Sequence, residues 1–156
     1  MSYAAWLQQA KSDLAAAKVL AKSGFHSQAI WMAAQAVEKG HKAILVALGL
    51  RYEDKDFKKL RHDTSDIAAL LPPQLHEPVR KEIAESLASL ESRAKTARYP
   101  SIQQDISGSI VKAPAEWMNS SEKEIRDAEE LLAWCETRVE RALRAAAAMR
   151  PATAAV

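Results

Sequence analysis

The chain has 156 residues, 22 basic and 20 acidic side chains and a formal net charge of +2, which is the size of one domain and a near-neutral charge. A chain of this length buries roughly 70% of its unfolded surface, so it sustains a core without staples. Its single cysteine, Cys135, excludes an internal disulfide and suits a reducing compartment. The N-terminal MSYAAWLQQAKSDL lacks the basic-then-apolar pattern of a secretory signal, and no apolar run approaches the ~20 residues that span a bilayer. The expectation is a cytoplasmic protein with no membrane segment. Net charge alone does not point to nucleic acid, because a binder concentrates Lys and Arg on one face.

Four glycines and six prolines among abundant Ala, Leu, Glu and Lys favour helix, and no 20–50-residue repeat argues for a solenoid. The first helix is predicted from Tyr3 to Ser23, with Leu7, Ala10, Leu14, Ala17 and Ala21 on one face and Gly24 as a left-handed cap. The second runs from His26 to Leu48 and stops at Gly49. Its apolar arc (Ile30, Ala33, Ala34, Val37, Ile44, Leu45, Leu48, widened by Ala29, Ala36, Ala43 and Ala47) covers most of the circumference, so it belongs at the centre of the fold. A narrow polar stripe remains: Trp31, Gln35, Glu38, Lys39 and Lys42.

Residues 50–62 are charged and irregular and read as a loop. A short third helix over Thr64–Leu71 ends at Pro72–Pro73. The fourth helix spans Pro78–Arg98, with Val79, Ile83, Leu87, Leu90, Ala94 and Ala97 as its stripe, and Pro100 stops it. Residues 99–118 read as a long loop, of the kind that is often functional. The last helix begins near Asn119 or Ser120, where Ser121 and Glu124 have capping-box spacing, and carries Ile125, Ala128, Leu132, Cys135, Val139, Ala142 and Ala146 inward. Acids in its first turns and arginines in its last suit the helix dipole. Residues 149–156 are expected to be a disordered tail. The fold class expected is all-α, an up-and-down antiparallel bundle of four long helices plus one short one, with residues 1–148 as a single domain.

Three constellations bear on chemistry. Glu38-Lys39-Gly40-His41 spells Glu-x-x-His, half of a carboxylate-bridged di-iron site, but none of His26, His62 and His76 follows a glutamate by three residues. His41 also falls in the apolar arc, so it reads as a core histidine and no metal is expected. Cys135 lies on an apolar stripe and reads as a small hydrophobe. No Ser-His-Asp spacing or phosphate-binding glycine loop is present. The basic groups are Arg51, the Lys55–Arg61 segment with His62, and Arg93, Lys95 and Arg98 at the end of the fourth helix beside Tyr99. They suit phosphate contacts, or equally a solvated helix end that complements its dipole.

The run Ser27-Gln28-Ala29, Ala33-Ala34-Gln35-Ala36-Val37-Glu38-Lys39, Lys42-Ala43, preceded by the turn Gly24-Phe25, resembles the second-helix signature of HEPN domains. Leu14-Ala15-Ala16-Ala17, His62 opening a short helix that ends Leu70-Leu71, Ala97-Arg98-Tyr99-Pro100, and Ala128 with Leu131-Leu132 fit as well, so the resemblance covers residues 3–143. It implies a helical bundle that forms a homodimer, is linked to nucleotides or RNA, and acts with a nucleotidyltransferase-type partner in toxin–antitoxin-like systems. The RNase branch carries an Arg followed four to six residues later by His. Here Arg93 is followed at those offsets by Ala97, Arg98 and Tyr99, and no histidine occurs after His76. Without that imidazole the resemblance implies binding without catalysis.

Two candidate surfaces follow. The first is Gln35, Glu38, Lys39 and Lys42, where a base and phosphate would lie beside Trp31; alternatively Glu38 and Lys42 are an i,i+4 pair. The second is His62, Arg98 and Tyr99, with Tyr99 as a stacking platform or as a packing residue, and Arg93 is a further candidate for nucleotide or partner binding. No catalytic residue, metal or cofactor is assigned. The alternatives are a divergent metal-independent RNase rebuilt from Arg93, Arg98, Tyr99 and His62, and a purely structural dimerisation domain.

Overall fold

Small residues at helical spacing decide how the helices meet. Helix α1 (Tyr3–Lys22) starts at Ser2, whose hydroxyl accepts the Ala5 N–H at 3.3 Å. It buries Ala10, Asp13, Leu14 and Ala17, one face of the helix. It closes with the two hydrogen bonds of a Schellman turn, Gly24 N–H to Ala21 O at 3.1 Å and Phe25 N–H to Leu20 O at 2.9 Å, with Gly24 at φ +81°. Helix α2 (His26–Ala47) ends the same way: Gly49 lies at φ +96°, and Leu50 N–H reaches Leu45 O at 3.1 Å. Both glycine stops are where the sequence places them.

The structure is a computed structural model and describes residues 2–50, 81–105 and 108–148, with the side chains of 81–84 and 103–105 excepted. The predicted loop of 50–62 beyond Leu50, the short helix Thr64–Leu71 and the tail 149–156 lie outside the described residues. Helix α3 (Lys81–Arg98) buries Leu90, Ala94 and Ala97; helix α4 (Glu122–Ala148) buries Ala128, Leu131, Leu132, Cys135, Val139 and Ala142. The fold is all-α, an antiparallel bundle, and α2 packs against α1, α3 and α4. Its Ala29, Ile30, Ala33, Ala36, Ala43, Ile44 and Leu45 are fully buried, as expected of a hub. At Gly40 the α4 side chains come so close that an added Cβ would sit 3.0 Å from Leu132 Cδ1 and 3.1 Å from Cys135 Sγ. Among the described residues, no helix is long and apolar enough to cross a membrane.

The segment read as a long loop is different. It forms a β-hairpin, β1 (Ser101–Asp105) antiparallel to β2 (Gly108–Lys112), with Ile102 opposite Val111, followed by a 3₁₀ turn at Pro114–Glu116. The physical reason is local: Gly108 at φ +117° opens β2, and Ile110 and Val111 are β-branched residues suited to a pleated strand. Glu116 Oε2 accepts the Ala113 N–H at 2.5 Å and so fixes the turn. The buried Met118 then packs with Ile30, Ala94 and Ala97, where the start of α2 meets the end of α3. Helix α4 begins slightly later than expected. Ser121 O accepts the Ile125 N–H at 3.1 Å, the Ser121 hydroxyl lies 3.1 Å from His26 Nδ1, and the Glu124 carboxylate turns to Arg93.

Candidate nucleotide pocket

The polar stripe of α2 faces α1. Lys39 Nζ donates to Asp13 Oδ2 at 2.5 Å and to Gln35 Oε1 at 3.4 Å, while Gln9 Nε2 donates to the other Asp13 oxygen at 2.8 Å. Gln35 Nε2 donates to Glu38 Oε2 at 3.0 Å, and Lys42 pairs with Glu38 one turn on, with its ammonium 5.5 Å from the Trp6 ring centre. Side-chain exposure is 20% at Lys39, 6% at Asp13, 13% at Lys42 and 5% at Glu38. Gln35, Glu38, Lys39 and Lys42 therefore form an interhelical seam whose charges neutralise one another within the chain.

The second half of Glu-x-x-His lies deeper. His41 Nδ1 is 3.0 Å from Val37 O and 3.6 Å from Cys135 Sγ, and its ring is 5.6 Å from that of Trp134. Burial lowers the His41 pKa, against the Val37 carbonyl bond that raises it, and keeps the ring neutral. Burial, helped by nearby Glu136, drives the Cys135 thiol far above its usual range, so it is no nucleophile.

The other candidates separate. Arg93 Nε donates to Glu124 Oε1 at 2.9 Å and ties α3 to α4; Glu124 is 7% exposed. His62 lies outside the described residues. Arg98 and Tyr99 are brought together with Trp31. Buried Ala97 seats the end of α3 on α2, and the next residue, Arg98, emerges over the α2 surface. Its guanidinium carbon is 5.9 Å from the centre of the Trp31 ring and 5.3 Å from that of Tyr99. Between them opens a pocket of about 350 Å³, lined by Ser27, Gln28, Trp31, Ala97, Arg98 and Tyr99.

Trp31 is 41% exposed and Tyr99 61%, an unusual display of aromatic surface. Among the described residues, Arg98 forms no ion pair, whereas Lys11, Lys18, Lys39, Lys42, Arg93 and Lys123 each have a carboxylate. Ser27 is buried and its hydroxyl donates to Gln28 Oε1 at 2.8 Å. No side chain caps the N-terminus of α2, which adjoins the pocket. Sequence reasoning assigned neither Ser27 nor Gln28 to a site. Their signal was present, since Ser27, Gln28 and Trp31 fall at i, i+1 and i+4 on one face of the first turns.

A family model described as HEPN domain matches residues 3–142. The fold is similar to that of TT1696 from Thermus thermophilus, with a TM-score of 0.69 at 23% identity over 87% of this chain and 97% of that one. It is also similar to ST0689, an archaeal HEPN homologue, with a TM-score of 0.63 at 20% identity over 89% of this chain and 98% of the other. Among proteins of curated function, none matches.

Proposed function

The chain belongs to the HEPN domain family, and from that premise we propose that it is a nucleotide- or RNA-binding module that takes one nucleotide unit in the pocket between Trp31, Arg98 and Tyr99. The observation that carries this reading is Arg98, an arginine without a carboxylate partner among the described residues, held against two exposed aromatic rings. A base stacked on an aromatic side chain gains roughly 1–3 kcal/mol whatever its identity. A guanidinium fork binds phosphate oxygens in pairs, and the uncapped start of α2 favours negative charge beside it. The volume, about 350 Å³, lies within the range of small-molecule sites. Binding without cleavage fits the absence of any histidine after Arg93 or Arg98.

Self-association as a homodimer and action with a nucleotidyltransferase-type partner, in a toxin–antitoxin-like pairing, belong to the same proposal. Family membership supports both, and the cross-strand pair Ile102 and Val111, 69% and 70% exposed, supplies apolar surface of the kind protein partners cover. Sedimentation over a range of concentrations tests the first, and a protein monomeric throughout removes it.

The pocket is tested by calorimetric titration with nucleoside monophosphates at physiological salt. Arg98→Ala removes charge-assisted bonds worth roughly 1.5–3 kcal/mol, a ten- to hundredfold loss of affinity. No binding at millimolar ligand, or binding indifferent to Arg98→Ala, removes the reading.

A further inference from the structure

The ion pairs between α1 and α4 follow a pattern that breaks at one end. The two helices run antiparallel, and a lysine of α1 meets a glutamate of α4: Lys11 with Glu136, then Lys18 with Glu129. From 11 to 18 and from 136 to 129 is two turns on each helix, so the same two faces meet at both rungs. Lys22 is next on that face of α1, one turn on from Lys18. On α4, one turn back from Glu129, stand Arg126 and Ile125. The next rung therefore sets a cation against a cation, where the pattern calls for an acid. Lys22 and Arg126, both exposed, form no ion pair among the described residues. A hollow of about 290 Å³ opens at this rung, lined by Lys18, Ala21, Lys22, Glu122, Ile125 and Arg126. Ala21 and Ile125 are half-buried and form its apolar part. Val19, which precedes Lys22 by one turn and is 64% exposed, extends that apolar surface along α1. Glu122 lies in the first turn of α4, where the helix dipole stabilises an acid. With Lys18 already matched to Glu129, the remaining cations of the hollow still outnumber that acid.

We propose that this hollow docks an acidic peptide segment of a partner protein, which sets a carboxylate between Lys22 and Arg126 and an apolar side chain on Ala21 and Ile125. Charge complementarity selects the occupant. Elsewhere on the α1–α4 face the acid of each rung comes from within the chain. Here a carboxylate from outside completes the rung. The arginine fork takes both carboxylate oxygens, and the lysine adds a point charge. The apolar part of the hollow favours a peptide over a bare anion, because a phosphate or an isolated carboxylate leaves Ala21, Ile125 and Val19 in water. An apolar patch rimmed by charged residues is the form that protein contacts take. The hollow shares no lining residue with the Trp31–Arg98–Tyr99 pocket, so its occupant does not depend on that pocket's ligand.

The test uses the full chain and a fluorescein-labelled peptide, Glu-Leu-Glu-Glu-Leu-Leu-Glu, read by fluorescence anisotropy at physiological salt. Saturable binding is expected, at least tenfold tighter than that of Glu-Ser-Glu-Glu-Ser-Ser-Glu, which carries the same charge and no apolar side chain. Arg126→Glu is expected to complete the rung with Lys22 inside the chain. Peptide affinity then falls at least tenfold, while Tm holds or rises by about 1 °C, the size of one exposed pair. Lys22→Ala, on the other helix, is expected to weaken the peptide without any change in α4. No binding at millimolar peptide, equal binding of the serine peptide, or an affinity indifferent to both variants overturns the proposal. A single-stranded RNA held as tightly as the leucine peptide, and lost with it in Arg126→Glu, marks a surface that reads charge alone and overturns it as well. A chain that self-associates and becomes monomeric in Arg126→Glu assigns the hollow to a second copy, which also contradicts a peptide partner. Both side chains are exposed, so unfolding of the variants is not expected, and melting curves check this.

Discussion

Gly40→Ala sets two known effects against each other at the centre of the bundle. In an exposed helix, alanine in place of glycine stabilises by about 1 kcal/mol. Here the new Cβ would meet Leu132 Cδ1 at 3.0 Å, Cys135 Sγ at 3.1 Å and Cys135 Cβ at 3.2 Å. Carbon contacts are at their optimum near 3.5–4.0 Å, so α2 and α4 must move apart by a few tenths of an ångström. Both neighbours are buried, Cys135 completely and Leu132 to 4% exposure. Overpacking of this kind costs about 1–3 kcal/mol. The net expectation is a destabilisation of about 1 kcal/mol, a fall of roughly 2–4 °C in Tm for a chain of this size. Urea and thermal unfolding followed by circular dichroism measure it. Leu132→Ala, costing about 2–5 kcal/mol alone, removes the nearest atom, so Gly40→Ala is better tolerated in that background, with a coupling of about 1 kcal/mol. If Gly40→Ala stabilises the wild-type chain by the full helix-propensity value, the close approach of α2 and α4 at Gly40 is wrong.

Three further outcomes are expected. Burial lowers the His41 pKa in the folded chain, so the unfolded chain takes up that proton first. Stability is complete above the unfolded value of about 6.5 and is lost as pH falls below it, at up to ~1.4 kcal/mol per pH unit. Urea melts between pH 5 and 7.5 should show this slope reduced in His41→Gln, and identical slopes contradict it. The Cys135 thiol should react with a disulfide reagent only as fast as the chain opens, and stoichiometric labelling of the folded protein within seconds contradicts its burial. Asp13→Ala strands Lys39 and Gln9 in the α1–α2 seam and should cost roughly 1–3 kcal/mol, part of it recovered by adding Lys39→Met. A change below about 0.5 kcal/mol would mark the seam as solvated.

How legible this was in the sequence depended on distance along the chain. The hub role of α2 was readable, because an apolar arc around most of a helix must be covered on several sides. Gly24 and Gly49 were readable as stops, because left-handed caps are local. The hairpin was missed because strands of five residues carry little periodicity, although the Ile102/Gln103 alternation and the Ser109-Ile110-Val111 run before Lys112 were visible. The seam was legible only in part, for a different reason: the Glu38–Lys42 pair is local, but the partner helix is not. A helical wheel groups Gln35, Glu38, Lys39 and Lys42 on one face but does not say what that face meets. The clue was on the other helix, where Asp13 interrupts the buried series Ala10, Leu14, Ala17. The pocket was least accessible, since it joins residues 27–31 to residues 97–99 through the packing of Ala97 on α2.

The most direct test of the nucleotide pocket is an NMR titration of the ¹⁵N-labelled chain with a nucleoside monophosphate. The expected result is a saturable set of amide and indole shifts centred on Ser27, Gln28, Trp31, Arg98 and Tyr99, which Arg98→Ala suppresses. Shifts centred instead on Gln35, Glu38, Lys39 and Lys42, or no shifts at millimolar ligand, would contradict the account.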